Sequence, residues 1–250
     1  SDEDAGFTLA FTDGSKLDVL NAGNASDSHD VSIPASAGAE GVTVTTSNKA
    51  PTGLAFAAGS TAFGIEYHTA ADFLTDGLKA SFSISTDNGA TSTTAYTLDN
   101  HIGIGATYVT DLGDTAVTIG AGYSAVEGSS TLTQPSSDEG GMHVGVSAVT
   151  GDLTVAVGFA DGSVAGVSDN GSDEYTAEVV KAGVKYVTGD LTFNVGIASG
   201  EADDHSIGGA DGSDDSQDVT SASVSYAVAS GVTAILGYTA TESSDEGASS

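Results

Sequence analysis

The sequence has no cysteine, no arginine and only 3 prolines, and its bases are five lysines set against 35 carboxylates. Each shortage removes a class of function. Without thiols there are neither disulfides nor thiolate metal sites. Polyanion binding needs clustered Lys and Arg on the phosphates; five lysines under a formal charge of -30 do not supply it, which excludes nucleic acid as a partner. No run approaches the roughly 20 apolar residues of a spanning helix, and no basic, apolar leader opens the sequence, so an exported protein is expected to have shed its leader.

Catalytic signatures are missing as well. Gly120-Ala-Gly-Tyr-Ser-Ala125 fits a dinucleotide fingerprint in letters, but loop-like residues from Glu127 to Gly140 follow where a helix is required. No Gly-x-Ser-x-Gly elbow and no His-Glu-x-x-His pair occurs, and His29, His68, His101, His143 and His205 are scattered singly. The sequence therefore reads as non-enzymatic, with no cofactor.

What is present is a repeat. Tyr186-Val-Thr-Gly-Asp-Leu191 has relatives at Tyr108 to Gly113 and at Ala148 to Leu153, and Gly77, Gly113, Gly151, Gly189 and Gly231 follow one another at intervals of 36, 38, 38 and 42 residues. A near-constant period marks one supersecondary unit used repeatedly, here two strands with a short turn and a long loop. Short turns on one side and long loops on the other describe an up-and-down meander within a single domain, residues 1–250.

About 14 strands are expected from period-two alternation. The clear ones are Leu78 to Ser85, Ile102 to Val109, Thr115 to Ala125, Met142 to Val149, Leu153 to Ala160, Thr176 to Val187, Leu191 to Ser199, Thr220 to Ala229 and Val232 to Thr241. Phe7 to Thr12, Lys16 to Leu20, Gly41 to Thr46, Leu54 to Ala58 and Ala62 to His68 are less regular; Asp27 to Ala39 has no period, and Ala70 to Leu74 is the one short helix expected.

Each clear strand has an apolar face and a small polar face. Val117, Ile119, Ala121 and Tyr123 oppose Ala116, Thr118, Gly120, Gly122 and Ser124; Leu191, Phe193, Val195 and Ile197 oppose Thr192, Asn194 and Gly196. In a soluble sandwich the apolar face is the core. In a membrane barrel it meets lipid, and the small face lines a wet lumen. Alternation alone serves both. Tyr108, Tyr186 and Tyr226 lie on the apolar face near the short turns, and Tyr123, Phe159 and Tyr238 near the loops. Two such levels about 20 Å apart match the interfacial aromatic girdles of a barrel.

The hairpins Ile102 to Val109 with Thr115 to Tyr123, Val184 to Ile197, and Val224 to Tyr238 carry a resemblance to a known family. Over roughly residues 50 to 241 the sequence resembles the general diffusion porins of Gram-negative outer membranes, most closely those of alphaproteobacteria. The resemblance implies an all-β, antiparallel up-and-down transmembrane β-barrel of about 16 strands, a homotrimer in the cell outer membrane, and passive diffusion of small hydrophilic solutes and ions. It also implies further strands beyond one or both ends of these residues, and an arginine cluster at the constriction that this sequence does not contain.

For a barrel, parity gives the lumen groups. Lys79, Lys181, Lys185, Glu66, His68, His101 and His143 fall on the small-residue side of their strands and are the pore-lining candidates. Thr69 to Asp76 or Asp87 to Asn100 is expected to fold inward as the constriction, and the acidic loops to give cation preference. Those loops are Asp169 to Glu174, Glu201 to Asp204, Asp211 to Asp218 and Asp245-Glu246. Asp211, Asp214, Asp215 and Asp218 are the calcium candidates, although their spacing is not that of an EF-hand. The alternative is a secreted or surface-anchored adhesin or surface-layer module with a soluble β-sandwich or β-roll and calcium-binding loops.

Overall fold

A computed structural model describes residues 6–20, 24–34, 64–87, 96–130, 139–168, 171–205 and 214–245. Among the described residues, twelve strands form one antiparallel sheet in chain order. They are β1 (Phe7–Ala10), β2 (Lys16–Val19), β3 (Gly64–His68), β4 (Leu78–Asp87), β5 (Tyr96–Leu112), β6 (Thr115–Ser130), β7 (Glu139–Thr150), β8 (Leu153–Ser168), β9 (Gly171–Thr188), β10 (Leu191–His205), β11 (Asp214–Ala229) and β12 (Val232–Asp245). Every pairing joins chain neighbours, so the sheet is the up-and-down meander that the repeat implied. The expected strands Gly41 to Thr46 and Leu54 to Ala58 lie outside the described residues.

The repeat is a set of hairpins closed at one end. β5–β6, β7–β8 and β9–β10 turn through Gly113-Asp114, Gly151-Asp152 and Gly189-Asp190, with glycine φ of +66, +55 and +56. A glycine first in a two-residue turn at positive φ is the II′ arrangement, whose twist suits the flanking strands. The connection between β3 and β4 shares that end. Ala70 to Leu74, expected as a short helix, is a turn there, because Asp72 and Leu74 take φ of +63 and +65, which an α-helix does not admit.

Strands run further than the apolar alternation does. β9 has 18 residues, β5 has 17, and β6, β8 and β11 have 16 each, against the roughly 9 to 11 that cross the hydrocarbon. The extensions lie at the loop end and take in residues read from sequence as acidic loops. Gly171 to Glu174 belongs to β9, Glu201 to Asp204 to β10, and Asp214 to Asp218 to β11. The ladder of backbone hydrogen bonds continues without an apolar face because it needs only partners of matching length.

Burial decides which face is inside. On β6, Ile119 and Tyr123 are 40 % and 49 % exposed, while Ser124 is 0 % exposed. On β10, Phe193, Val195 and Ile197 are exposed and Asn194 and Ala198 are buried. Among the described residues fifteen buried side chains are polar or charged and seven are hydrophobic, the reverse of a water-soluble core. This is the polarity of a sheet whose outer surface meets hydrocarbon. The sandwich alternative requires the apolar faces to pack on a second sheet, and they are bare. In buffer without detergent the folded protein is expected to aggregate; a monodisperse peak by light scattering would count against the membrane reading.

Candidate functional site

The inner face is crossed by a strap. Residues 24–34, in the connection between β2 and β3, lie across the small-residue face and carry one short 3-10 turn, Asp27–His29. The Ala25 amide donates to Ser83 Oγ at 3.0 Å, and His143 Nε2 donates to the Ser26 carbonyl at 3.0 Å. The His29 ring bridges Thr107 Oγ1 at 2.7 Å and Ser81 Oγ at 2.9 Å. Inner-face glycines make the room. A methyl group at Gly120 would strike the His29 carbonyl, one at Gly145 the Val31 side chain, and one at Gly183 the Pro34 carbonyl. The sequence reading looked elsewhere for an inward segment. Residues 71–76 of the first expected segment are exposed at the short-turn end, and of the second, 88–95 fall outside the described residues while 96–100 belong to β5.

The strap brings charge to the inner face. Burial holds His29 below the ordinary imidazole range, and burial raises Asp27 and Asp30 above the ordinary carboxylate range, with His143 opposing the rise at both. His143 is buried and holds its Nδ1 3.9 Å from Asp30 Oδ1. Lys181 stands on the inner face of β9 between buried Val179 and Gly183. Lys185 follows on the same face, opposite buried Asn194 of β10. His101 is 1 % exposed, and neither ring nitrogen has a hydrogen-bond partner.

A second group gathers on β2 and β3. Asp18 and Glu66 are directly opposed across the ladder, as are Lys16 and His68. Both carboxylates are buried, at 6 % and 3 % exposure. His68 Nε2 lies 3.2 Å from Asp18 Oδ2 and 3.4 Å from Glu66 Oε1, Lys16 Nζ lies 3.0 Å from Asp18 Oδ2, and Ser28 Oγ donates to Glu66 Oε1 at 3.1 Å. Thr8 Oγ1 donates to Asp18 Oδ1. A cleft of about 330 Å³ opens beside them, lined by Lys16, Ser28, His29, His68, Lys79 and Ser81 among others. Of the seven expected lumen groups, Glu66, His68 and Lys79 thus meet in one place, and His143 and Lys181 approach the strap. Sequence reasoning missed Lys16, Asp18 and the strap residues. The alternation Lys16-Leu-Asp-Val19 held the signal for the first two.

Two of the three aromatic pairs are closer together than expected, and one is at the expected separation. Tyr108 pairs with Ile119, four residues before Tyr123, and Tyr226 pairs with Ala234, four before Tyr238. Tyr186 pairs with Leu153, six before Phe159. At roughly 3.3 Å per residue these are separations of about 13 to 20 Å along the strands. The calcium candidates are distributed differently: Asp214, Asp215 and Asp218 lie on β11, and Asp211 lies outside the described residues.

The orientation of β9 is open to direct chemistry because the chain has no native cysteine. Lys181→Cys and Lys185→Cys in the membrane-inserted protein should react with a membrane-impermeant thiol reagent, and Val184→Cys, 41 % exposed on the apolar face, should not. Labelling at 184 with protection at 181 would overturn the register.

Comparison with known proteins agrees with this architecture. No curated protein matches the chain. Among solved structures, OmpT of Vibrio cholerae, an outer membrane protein folded in vitro in its trimer form, is similar at 14 % identity and a TM-score of 0.54, over 92 % of this chain and 67 % of that one. Outer-membrane expressed OmpT of the same organism gives 14 %, 0.52, 92 % and 67 %. A loop-L8 deletion mutant of OmpT gives 17 % identity and a TM-score of 0.49 over 73 % of this chain, which spans 58 % of that structure's length. At such identities the likeness is one of fold. The family model described as Gram-negative porin matches residues 10–246. With an apolar outer face, a polar inner face and that match over nearly its whole length, the chain belongs to the Gram-negative porin family and to the outer membrane.

Proposed function

We propose that the chain forms a passive pore for small hydrophilic solutes and ions, cation-preferring and without catalytic activity. The observation that supports this reading is the strap across the small-residue face; in it, that face is the wall of an aqueous path and the strap narrows the path. Asn24 to Pro34 takes the constricting role. In this reading the unit in the membrane is a homotrimer, as in the trimer form of the similar OmpT structure, of the alphaproteobacterial type suggested by the hairpins.

Charge sets the preference. Lys16, Lys79, Lys181 and Lys185 stand on the inner face together with Asp18 and Glu66, and the strap adds Asp27 and Asp30, so little net charge remains on the described wall. The surplus that makes up the formal -30 sits in the loops and strand extensions, where it concentrates cations at the mouth. In planar bilayers under a low-salt KCl gradient, the reversal potential should have the sign of K+ selectivity. It should shrink toward zero as the Debye length falls to about 3 Å near 1 M salt. Anion selectivity at low salt would mean that the wall lysines dominate over the loops.

A further inference from the structure

Outside any role in conduction, Asp18, Glu66 and His68 form an unusual group. Like charges directly opposite in a ladder repel, and Asp18 faces Glu66 with both carboxylates buried. Lys16 reaches one oxygen of Asp18 only, and it is 47 % exposed. The third member is a buried ring nitrogen, His68 Nε2, which has no aligned hydrogen-bond partner although two carboxylate oxygens stand at 3.2 and 3.4 Å. Its other nitrogen, Nδ1, is held at 2.8 Å by Ser81 Oγ, the hydroxyl that also meets His29.

We infer that Asp18, Glu66 and His68 bind a divalent cation of the zinc class on the wall of the lumen. The three donor atoms lie within 4.8 Å of one another. A tetrahedral centre with bonds of about 2.0 to 2.2 Å separates its ligand atoms by about 3.3 to 3.6 Å, close to the nitrogen–oxygen distances here. Mixed imidazole and carboxylate donors suit zinc and its neighbours and do not suit magnesium or calcium, which take oxygen. Both neighbours of the triad act as outer-shell partners: Ser81 fixes the His68 ring with Nε2 toward the carboxylates, and Ser28 holds Glu66 Oε1. The strap supplies Ser28 and His29, so the ion also fastens the strap to β2 and β3. Lys16 is the competitor, since its ammonium occupies the Asp18 oxygen that the ion needs.

The test is equilibrium Zn2+ titration of the full chain refolded in detergent, with excess Ca2+ present to saturate oxygen-only sites. Fold is checked for each variant by unheated electrophoretic mobility. The expected result is one Zn2+ site per chain, weakened at least about 10-fold in Ser81→Ala, the scale of losing an outer-shell partner, and weakened further in His68→Ala. Lys16→Gln should tighten it, and Ser147→Ala, on the inner face of β7 and paired with Thr118 and Ala156, should leave it unchanged. Should His68→Ala fail to fold, His68→Asn and Glu66→Gln carry the same expectation. No stoichiometric site in the wild type, or equal affinity in a folded His68 variant, overturns the assignment. Because binding is read without current flow, a silent bilayer would sink the pore reading and leave this one standing.

Discussion

Replacing Val157 by lysine should cost the inserted protein about 2 to 4 kcal/mol, the price of a charge on the lipid face near the bilayer midplane. Val157 is 49 % exposed on the apolar face of β8. It pairs with Val146 and Ala182 and lies between Leu153, at the level of Tyr186, and Phe159. Ser147, one strand away on the opposite face, pairs with Thr118 and Ala156. Ser147→Lys meets the wet side and should cost less than half as much. Urea titration of folding into lipid vesicles measures both. Equal costs, or the greater cost at Ser147, would mean that the faces had been assigned the wrong way round.

Placing a single methyl group at Gly183 should open the pore. A β-carbon there meets the carbonyl oxygen and carbon of Pro34, backbone atoms that no rotamer change can move aside. Overpacking of this kind costs about 1 to 3 kcal/mol if the neighbours hold still. The strap is held to β3, β4, β5 and β7 through a few side-chain hydrogen bonds, at Glu66, Ser83, Ser81, Thr107 and His143, so its Pro34 end gives way before the sheet does. Gly183→Ala should raise single-channel conductance and expose the strap to protease. Gly140→Ala is the control: its nearest atom, the Ser124 carbonyl oxygen, stands at 3.3 Å, and the channel should be unaltered. Unchanged conductance and unchanged protection in Gly183→Ala would show that the strap does not narrow the path.

Which of these features could be read from sequence follows from where water and lipid impose a pattern. Between the aromatic levels each residue is on one face or the other, so period-two alternation alone places Lys181 opposite Val180 and Lys79 opposite Phe82. Which face is inward could not be read there, because a sandwich and a barrel share the alternation; Ser124 buried and Tyr123 bare decide it. Beyond the hydrocarbon nothing demands apolar side chains, and Gly171 to Glu174 therefore looked like loop while pairing as strand. The strap has no period because its conformation is dictated from elsewhere, by Ser83 and Thr107 and by His143, far away in sequence. Asp18 lay within reach of parity, but its meeting with Glu66 depends on the pairing of β2 with β3 across 44 intervening residues, 20 to 63.

The strictly sequential order of the sheet makes its width a matter of counting. A barrel's diameter grows nearly in proportion to its strand number, and here strands enter two at a time as hairpins of 36 to 42 residues, each bonded, among the described residues, only to the hairpins before and after it. Duplicating or deleting one hairpin leaves every other register untouched and keeps the same side chains toward lipid, because an even number of strands preserves direction as well as face. A lineage built on this plan can change its bore by whole steps, with no intermediate in which a strand lacks a partner.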